Sequence, residues 1–428
     1  MKRLAGMASL LSLLLPAFSS AADYGVDGTT IIRLEQRTAP GVAKQTIAPA
    51  TQYLGIDADG IGVKELSLHL YGWGRFDLAD NSGESTNPKS TDGNLTYGYL
   101  LYRFPKANAQ VKAGRFFVYE GVAAEQVDGL AARTDLAYGL TVSAYGGVPV
   151  KLDRGSATKG DFIGGGRLGY RYGGILDLGV SGLSETNSPT ATGKGDRRLV
   201  GADLWLSPVQ MIELSGRSSY NTTTKEIAEH TYQATLRPTT GLTFNATFND
   251  VRLADYFAFT NIKSLFSPTI NEKYRSFGGS VTYRLTALPF PVEATIDYKH
   301  FKRDSIGDSD RIGAEVRVTP IERLSTGFSY ARVAAANGIM SYNEVRGFAL
   351  YGISRYTASL DLIGDIYDDK VYDKKVAYEI AASAGYQILP MVRLSGDVSY
   401  ADNPWYDGEF KGLVRITVNY TTVKGAAQ

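Results

Sequence analysis

From Val376 to Ile388 the chain reads VAYEIAASAGYQI, and an extended backbone sorts it into two faces. Val376, Tyr378, Ile380, Ala382, Ala384 and Tyr386 fall on one face, with Glu379, Ser383 and Gln387 on the other. After a tight turn at Leu389-Pro390, Val392, Leu394, Val398 and Tyr400 oppose Arg393, Ser395, Asp397 and Ser399. Side chains alternate sides along a strand, so this pattern predicts a hairpin with one apolar and one polar face. The same alternation recurs at 356–366, 312–319, 292–299 and 242–249.

About twenty such strands are counted from Glu65 onward, the last near 409–420. The fold class expected is all-β, a transmembrane antiparallel β-barrel of about 16–20 strands with long external loops and short periplasmic turns. A soluble sandwich also alternates, but two features favour the membrane barrel. Tight connections (SPVQ, RPTTG, TPIER, ILP) alternate with longer polar ones at 185–196, 250–273, 303–310, 335–343 and 401–408. Tyr170, Tyr172, Tyr220, Tyr283, Tyr298, Tyr386, Tyr400 and Tyr420 sit near strand ends, where the interfacial girdles of a barrel place aromatic rings. A barrel this wide cannot fill its own interior, so the lumen holds water, a loop or another protein.

Residues 1–22 read as a signal peptide: Lys2 and Arg3, an apolar stretch from Leu4 to Leu15, then Ser20-Ala21-Ala22. The expected organisation is a signal peptide at 1–22, an N-terminal periplasmic or lumenal segment at 23–64, the barrel at 65–420 and a tail at 421–428. Within the second of these, TTIIRLEQR (Thr29 to Arg37) admits an extra strand, a short helix or a periplasmic contact segment. About forty residues are too few for the large plug of a 22-stranded transporter.

LSLHLYGWGRFDLAD (Leu66 to Asp80) resembles the opening strand of Gram-negative outer-membrane porins, and the stretch from Lys112 to Gly147 resembles their early hairpins. The resemblance implies a water-filled channel narrowed by an inward-folded loop and lined by facing acidic and basic residues, with homotrimers expected. It points to Arg75, Asp77, Arg115, Asp128 and Arg133 as pore-lining candidates, although VKAGRFF permits either face at Arg115 to be lumenal. The third long-side loop in this count, 147–161, is the one porins fold inward, and it carries Lys151, Asp153 and Arg154. Two features depart from porins: Tyr420 is followed by TTVKGAAQ rather than ending the chain, and some forty residues precede the opening strand. These also resemble, by architecture, the barrel of a porin–cytochrome conduit that sheathes a multihaem cytochrome.

Composition and charge then narrow the chemistry. The 428 residues contain no Cys, which excludes disulfides, thiolate metal sites, Cys nucleophiles and covalent c-type haem on this chain. Loss of Lys2 and Arg3 with the leader leaves 43 basic against 44 acidic residues. That balance gives no basic field for nucleic acid. The polar strand faces expose Glu293, Asp297, Lys299, Arg311, Glu315, Arg317, Asp361, Arg393, Asp397 and Arg415 as further pore-lining candidates. Facing charges of opposite sign tune which ions pass.

The loop at 250–273 is unusually apolar, with Leu253, Tyr256, Phe257, Phe259, Leu265 and Phe266, and is expected to fold inward or meet a partner. Ser67 and His69 share one strand face, but positions i and i+2 stand near 7 Å apart, so no catalytic or metal site and no cofactor is assigned. His230 and His300 read as strand-end polar residues. The function expected is a porin-like channel in the outer membrane, in contact with its lipid, for small hydrophilic solutes or ions. The alternative is the barrel sheath of a multihaem cytochrome.

Overall fold

The computed structural model describes residues 23–38, 44–79, 91–150, 160–190, 193–252, 273–285, 287–304, 307–336 and 341–422. Strand β1 (Asp23–Arg37) is followed by the three-residue β2 (Gln45–Ile47), which pairs only with the end of β1. Next come β3 (Pro49–Asp59), β4 (Leu66–Asp77), β5 (Thr91–Phe104), β6 (Ala109–Glu120), β7 (Ala123–Asp135) and β8 (Leu140–Pro149). The chain continues through β9 (Ile163–Tyr172), β10 (Leu176–Thr190), β11 (Gly193–Val209), β12 (Ile212–Asn221), β13 (Glu226–Thr239) and β14 (Leu242–Arg252). Then follow β15 (Lys273–Leu285), β16 (Val292–Arg303), β17 (Ser309–Ile321), β18 (Leu324–Ala335) and β19 (Tyr342–Ile353). The last are β20 (Tyr356–Val371), β21 (Lys374–Leu389), β22 (Val392–Asn403) and β23 (Tyr406–Thr422).

From β3 onward each strand pairs antiparallel with the next. β1 pairs with β3 on one side and with β23 on the other, from Tyr24↔Thr422 to Arg37↔Glu409. The ring is therefore closed. Of the 23 strands all but β2 belong to the wall, which makes a closed antiparallel barrel of 22. Closure leaves no sheet edge, the condition for strands to cross a bilayer.

Register fixes the two faces. In β21 the outward row is Tyr378, Ile380, Ala382, Ala384 and Tyr386, and the lumenal row is Ala377, Glu379, Ala381, Ser383 and Gly385. Tyr378 and Tyr386 bound the apolar row; eight residue steps in a tilted strand span about 20 Å, close to the height of a barrel's lipid-facing band. All eight tyrosines expected in the girdles fall on outward positions. Tyr170, Tyr172, Tyr283, Tyr386 and Tyr420 lie towards the short turns, and Tyr220, Tyr298 and Tyr400 towards the opposite end.

Three expectations are corrected. The wall has 22 strands rather than 16–20, because the segment expected to be periplasmic or lumenal supplies β1 and β3. Their alternation is weak: the outward row of β1 includes Gly28 and Thr30, and its lumenal row includes Ile31. Short and long connections do not alternate strictly, since the long side includes the two-residue turns Gly121-Val122, Tyr372-Asp373 and Pro404-Trp405. Much of 185–196 and 401–408 is strand extending beyond the girdle. Thr421 and Thr422, expected in the tail, finish β23. Residues 1–22, expected to be a signal peptide, and residues 253–272 of the loop expected at 250–273 lie outside the described residues.

The face assignment has a direct consequence. Leu360 points outward in mid-band, while its neighbour Ser359 points into the lumen and bonds Ser383 at 2.6 Å. Leu360→Arg is expected to destabilise the barrel in lipid vesicles by about 2–4 kcal/mol, and Ser359→Arg by less than about 1 kcal/mol. Urea unfolding of both variants checks the assignment, and equal costs would reverse it.

Candidate functional site: an inward hairpin in a charged lumen

β6 pairs with β5 only from Ala109 to Arg115; beyond that row its partner is β7 alone. Above this point the β6–β7 hairpin leaves the wall. Glu120 lies ten positions beyond Gln110, the register partner of Arg133, a separation of about 33 Å in a straight strand. Yet Arg133 donates to Glu120 at 3.3 Å, and Ser143 of β8 donates to the same carboxylate at 3.1 Å. The hairpin is folded back down along the inside of the barrel.

Its crease is built from glycine. Gly114 faces Gly129 across the hairpin, and Gly129 faces Gly147 of β8. Gly114 has φ +127°, and a Cβ there would lie 2.3 Å from the Gly98 carbonyl oxygen. A Cβ on Gly129 would lie 2.1 Å from the Gly146 oxygen. Only glycine fits such a sharp, close bend.

Beyond the crease the hairpin packs on the lumenal faces of β8–β13. Phe116, Val118, Val122, Ala123 and Val127 form one buried cluster with Tyr145, Ile163, Leu183, Leu199 and Ala228. Phe116, Ile163 and Leu199 are at most 1% exposed, and burying such side chains contributes about 1.5–3 kcal/mol each. At the tip the Val122 amide donates to Ser181 Oγ at 3.0 Å. Arg197, buried on β11, donates to Glu185 of β10 at 2.9 Å and also bonds Glu125 of the hairpin. One desolvated arginine thus ties the hairpin to the wall. Phe117 and Tyr119, stacked at 6.0 Å, lie on the hairpin's other face, and Tyr119 is 75% exposed.

Charge pairs line the lumen around it. Arg167 donates to Asp177 at 2.7 Å and to Asp203 at 3.0 Å, and Arg217 to Glu229 at 2.8 Å. Register puts Glu293, Asp297, Lys299, Arg311, Glu315, Arg317, Asp361, Arg393, Asp397 and Arg415 on the same lumenal face. Glu293 accepts from Arg284 at 2.9 Å, Arg311 bonds Asp297 and Glu344, and Arg317 reaches Glu315 at 3.1 Å. Asp361 takes Arg346 Nε at 2.9 Å, Arg393 donates to Thr357, and Lys299 lies 4.9 Å from the Phe301 ring centre.

Arg75, Asp77 and Arg133 are also on lumenal positions. Asp77, however, caps the end of β4, accepting from the Ala79 amide at 3.1 Å. Arg115 and Asp128 lie at the crease on the opposite parity from Gly114 and Gly129, on the same ribbon face as Phe117 and Gln126. They clamp the crease through Nε–Oδ1 at 2.7 Å and Nη2–Oδ2 at 2.8 Å, with Arg115 Nη1 reaching the Leu95 carbonyl at 3.0 Å.

Lys151, Asp153 and Arg154 lie outside the described residues. With β1 and β3 counted, the third long-side connection is the β6–β7 turn, and residues 151–159 of the loop expected to fold inward lie outside the described residues. Ser67 and His69 do not meet: Ser67 donates to Asp59 at 2.6 Å, and His69 Nδ1 pairs with Asp57 at 2.5 Å. His230 and His300 face outward, against Ser218 and Asp310.

Sequence reasoning missed Glu125, Glu185 and Arg197. A signal for the hairpin existed: in RFFVYEGVAAEQ neither face is polar, which suits a ribbon that packs on one side and stands free on the other.

No protein-family model and no curated protein sequence matches the chain. Among solved structures, a variant of the ferric enterobactin receptor PfeA from Pseudomonas aeruginosa is similar at TM-score 0.56 and 8% identity, covering 92% of this chain and 80% of that one. OccK9 (OpdG) from the same species is similar at TM-score 0.49 and 11% identity, covering 95% and 100%. OccAB4 from Acinetobacter baumannii is similar at 0.46 and 12%, covering 94% and 98%. The PfeA likeness places the chain among large closed β-barrels and shows the fold alone.

The latch makes its own prediction. Arg197→Met leaves Glu125 and Glu185 without their cation in a buried setting, and a loss of about 3–5 kcal/mol in unfolding free energy is expected. A loss under about 1 kcal/mol would mean that the arginine does not hold the hairpin.

Proposed function

We propose that the protein is an outer-membrane channel of the porin type, exported with cleavage after Ala22, that passes small hydrophilic solutes or ions by diffusion. The observation that carries this reading is the inward hairpin inside a wide, charge-lined barrel. A 22-stranded wall encloses far more space than one hairpin fills, so the hairpin narrows the lumen and leaves a passage beside it. Rows of arginine–carboxylate pairs keep that passage wetted. They set a field across it, and passage follows size and charge without energy input.

The alternative, a sheath for a threaded cytochrome, has less support. A hairpin packed across the lumenal faces of β8–β13 occupies wall that such a partner would need. The apolar ring pair Phe117–Tyr119 remains open to solute on its free side.

Single-channel recording in a planar bilayer tests the channel. Refolded protein is expected to give stable conductance steps. Replacing Phe117–Gln126 by a short Gly-Ser turn is expected to raise the step size at least about twofold, as removal of a constriction should. A barrel that inserts and stays silent, before and after the replacement, would refute the reading.

A further inference from the structure

We infer that the lumenal wall of β3, β4 and β5 is a binding site for an organic ammonium cation. Register lays the wall out in rows. Asp27, Gly55, Tyr71 and Tyr97 lie side by side across β1 and β3–β5; above them stand Thr29, Tyr53 and Trp73, and below them Asp57, His69 and Tyr99. Tyr53 and Tyr71 have ring centres 6.3 Å apart and Tyr71 and Tyr97 5.5 Å apart, with planes within 21° and 19°. Tyr97 continues to Tyr99 at 6.0 Å, and His69 lies 5.0 Å from Tyr99. The result is one aromatic surface across three strands, half-buried and on the lumenal face. Tyr99 packs against the hairpin cluster beside Phe116 and carries Lys112 Nζ 5.3 Å from its ring centre, whereas Tyr53, Tyr71 and Tyr97 form the part kept towards water, and aromatic area so placed marks a site for a ligand.

Two carboxylates select the ligand's charge. Asp27 lies over Gly55, where a Cβ would fall 2.1 Å from its Oδ1, so the missing side chain makes the room that the carboxylate uses. Asp57 stands beside it and holds His69. Elsewhere in the lumen Asp177, Asp203, Glu185, Glu293, Asp297, Glu344 and Asp361 each hold an arginine. Among the described residues no lysine or arginine pairs with Asp27 or Asp57. Tyrosine faces attract cations through their ring quadrupole, and neighbouring carboxylates add to that attraction. A neutral sugar would stack on the same rings but would leave the Asp27 charge unanswered.

The inference rests on the channel reading, because the wall must be open to solute. It is tested by isothermal titration of the refolded full-length barrel in detergent with choline and with 3,3-dimethyl-1-butanol, its neutral isostere. Choline is expected to bind at least about tenfold more tightly. Asp27→Asn is expected to erase that preference, and Tyr71→Leu to weaken choline at least about threefold, whereas Tyr71→Phe retains it. Each variant is first shown to migrate as a folded barrel on an unheated gel, and Tyr97→Leu replaces Tyr71→Leu if the latter fails to fold.

Absent choline binding, equal affinity for the two isosteres, tighter binding of maltose than of choline, or no effect of Asp27→Asn would each overturn the site. Titration does not depend on conductance. A conducting barrel that ignores choline refutes the site and leaves the channel; a silent barrel that binds choline does the reverse.

Discussion

Pairing of β1 with β23 is the interaction on which everything else in this molecule depends. In a bilayer an unpaired strand edge has no water to satisfy it, and each orphaned backbone group costs several kcal/mol. Here the ladder from Tyr24↔Thr422 to Arg37↔Glu409 closes the last edge, and the outward row from Val26 to Leu34 joins the apolar belt. Once the ring is closed, its circumference follows from the strand number. A 22-stranded ring is too wide to pack solid, and that excess space is what the inward hairpin partly fills.

The hairpin is in turn a compromise between packing and polarity. A strand pair that remained in the wall would show lipid one face and water the other. Folded at Gly114 and Gly129, the β6–β7 ribbon instead shows one face to protein, where Phe116 and Val127 are buried, and the other to the lumen. Its polar backbone, Glu120 and Glu125 must then be satisfied within the barrel. Ser181, Arg133, Ser143 and Arg197 do this from four different strands, which fixes the hairpin's position along the wall as well as across it.

Period-two reading recovered the fold class, the outward tyrosines and the lumenal face of β16–β23, because Glu293, Arg311, Asp361 and Arg415 alternate cleanly with Val, Ile and Leu. It failed where the alternation is diluted. DYGVDGTTIIRLEQR has Gly28 and Thr30 at lipid-facing positions and Ile31 facing the lumen, so β1 was legible only as one of several options. Missing it moved the count of long-side connections by one. Charge partners were less legible still. Glu125, Glu185 and Arg197 are far apart in sequence, and only the crease at Gly114 and Gly129 brings the first to the other two.

The central claim is that the β6–β7 turn lies against β10 inside the barrel, and the absence of native cysteine allows a clean test. Val122 N donates to Ser181 Oγ at 3.0 Å, which brings the hairpin tip within one hydrogen bond of β10, and a pair of cysteines tests that proximity. The double variant Val122→Cys, Ser181→Cys is folded, oxidised and run unfolded with and without reductant. A reductant-sensitive shift in mobility, with both thiols closed to maleimide before reduction, is the result expected of a hairpin docked in the lumen. Two free thiols that a bulky maleimide labels in the folded barrel would contradict it.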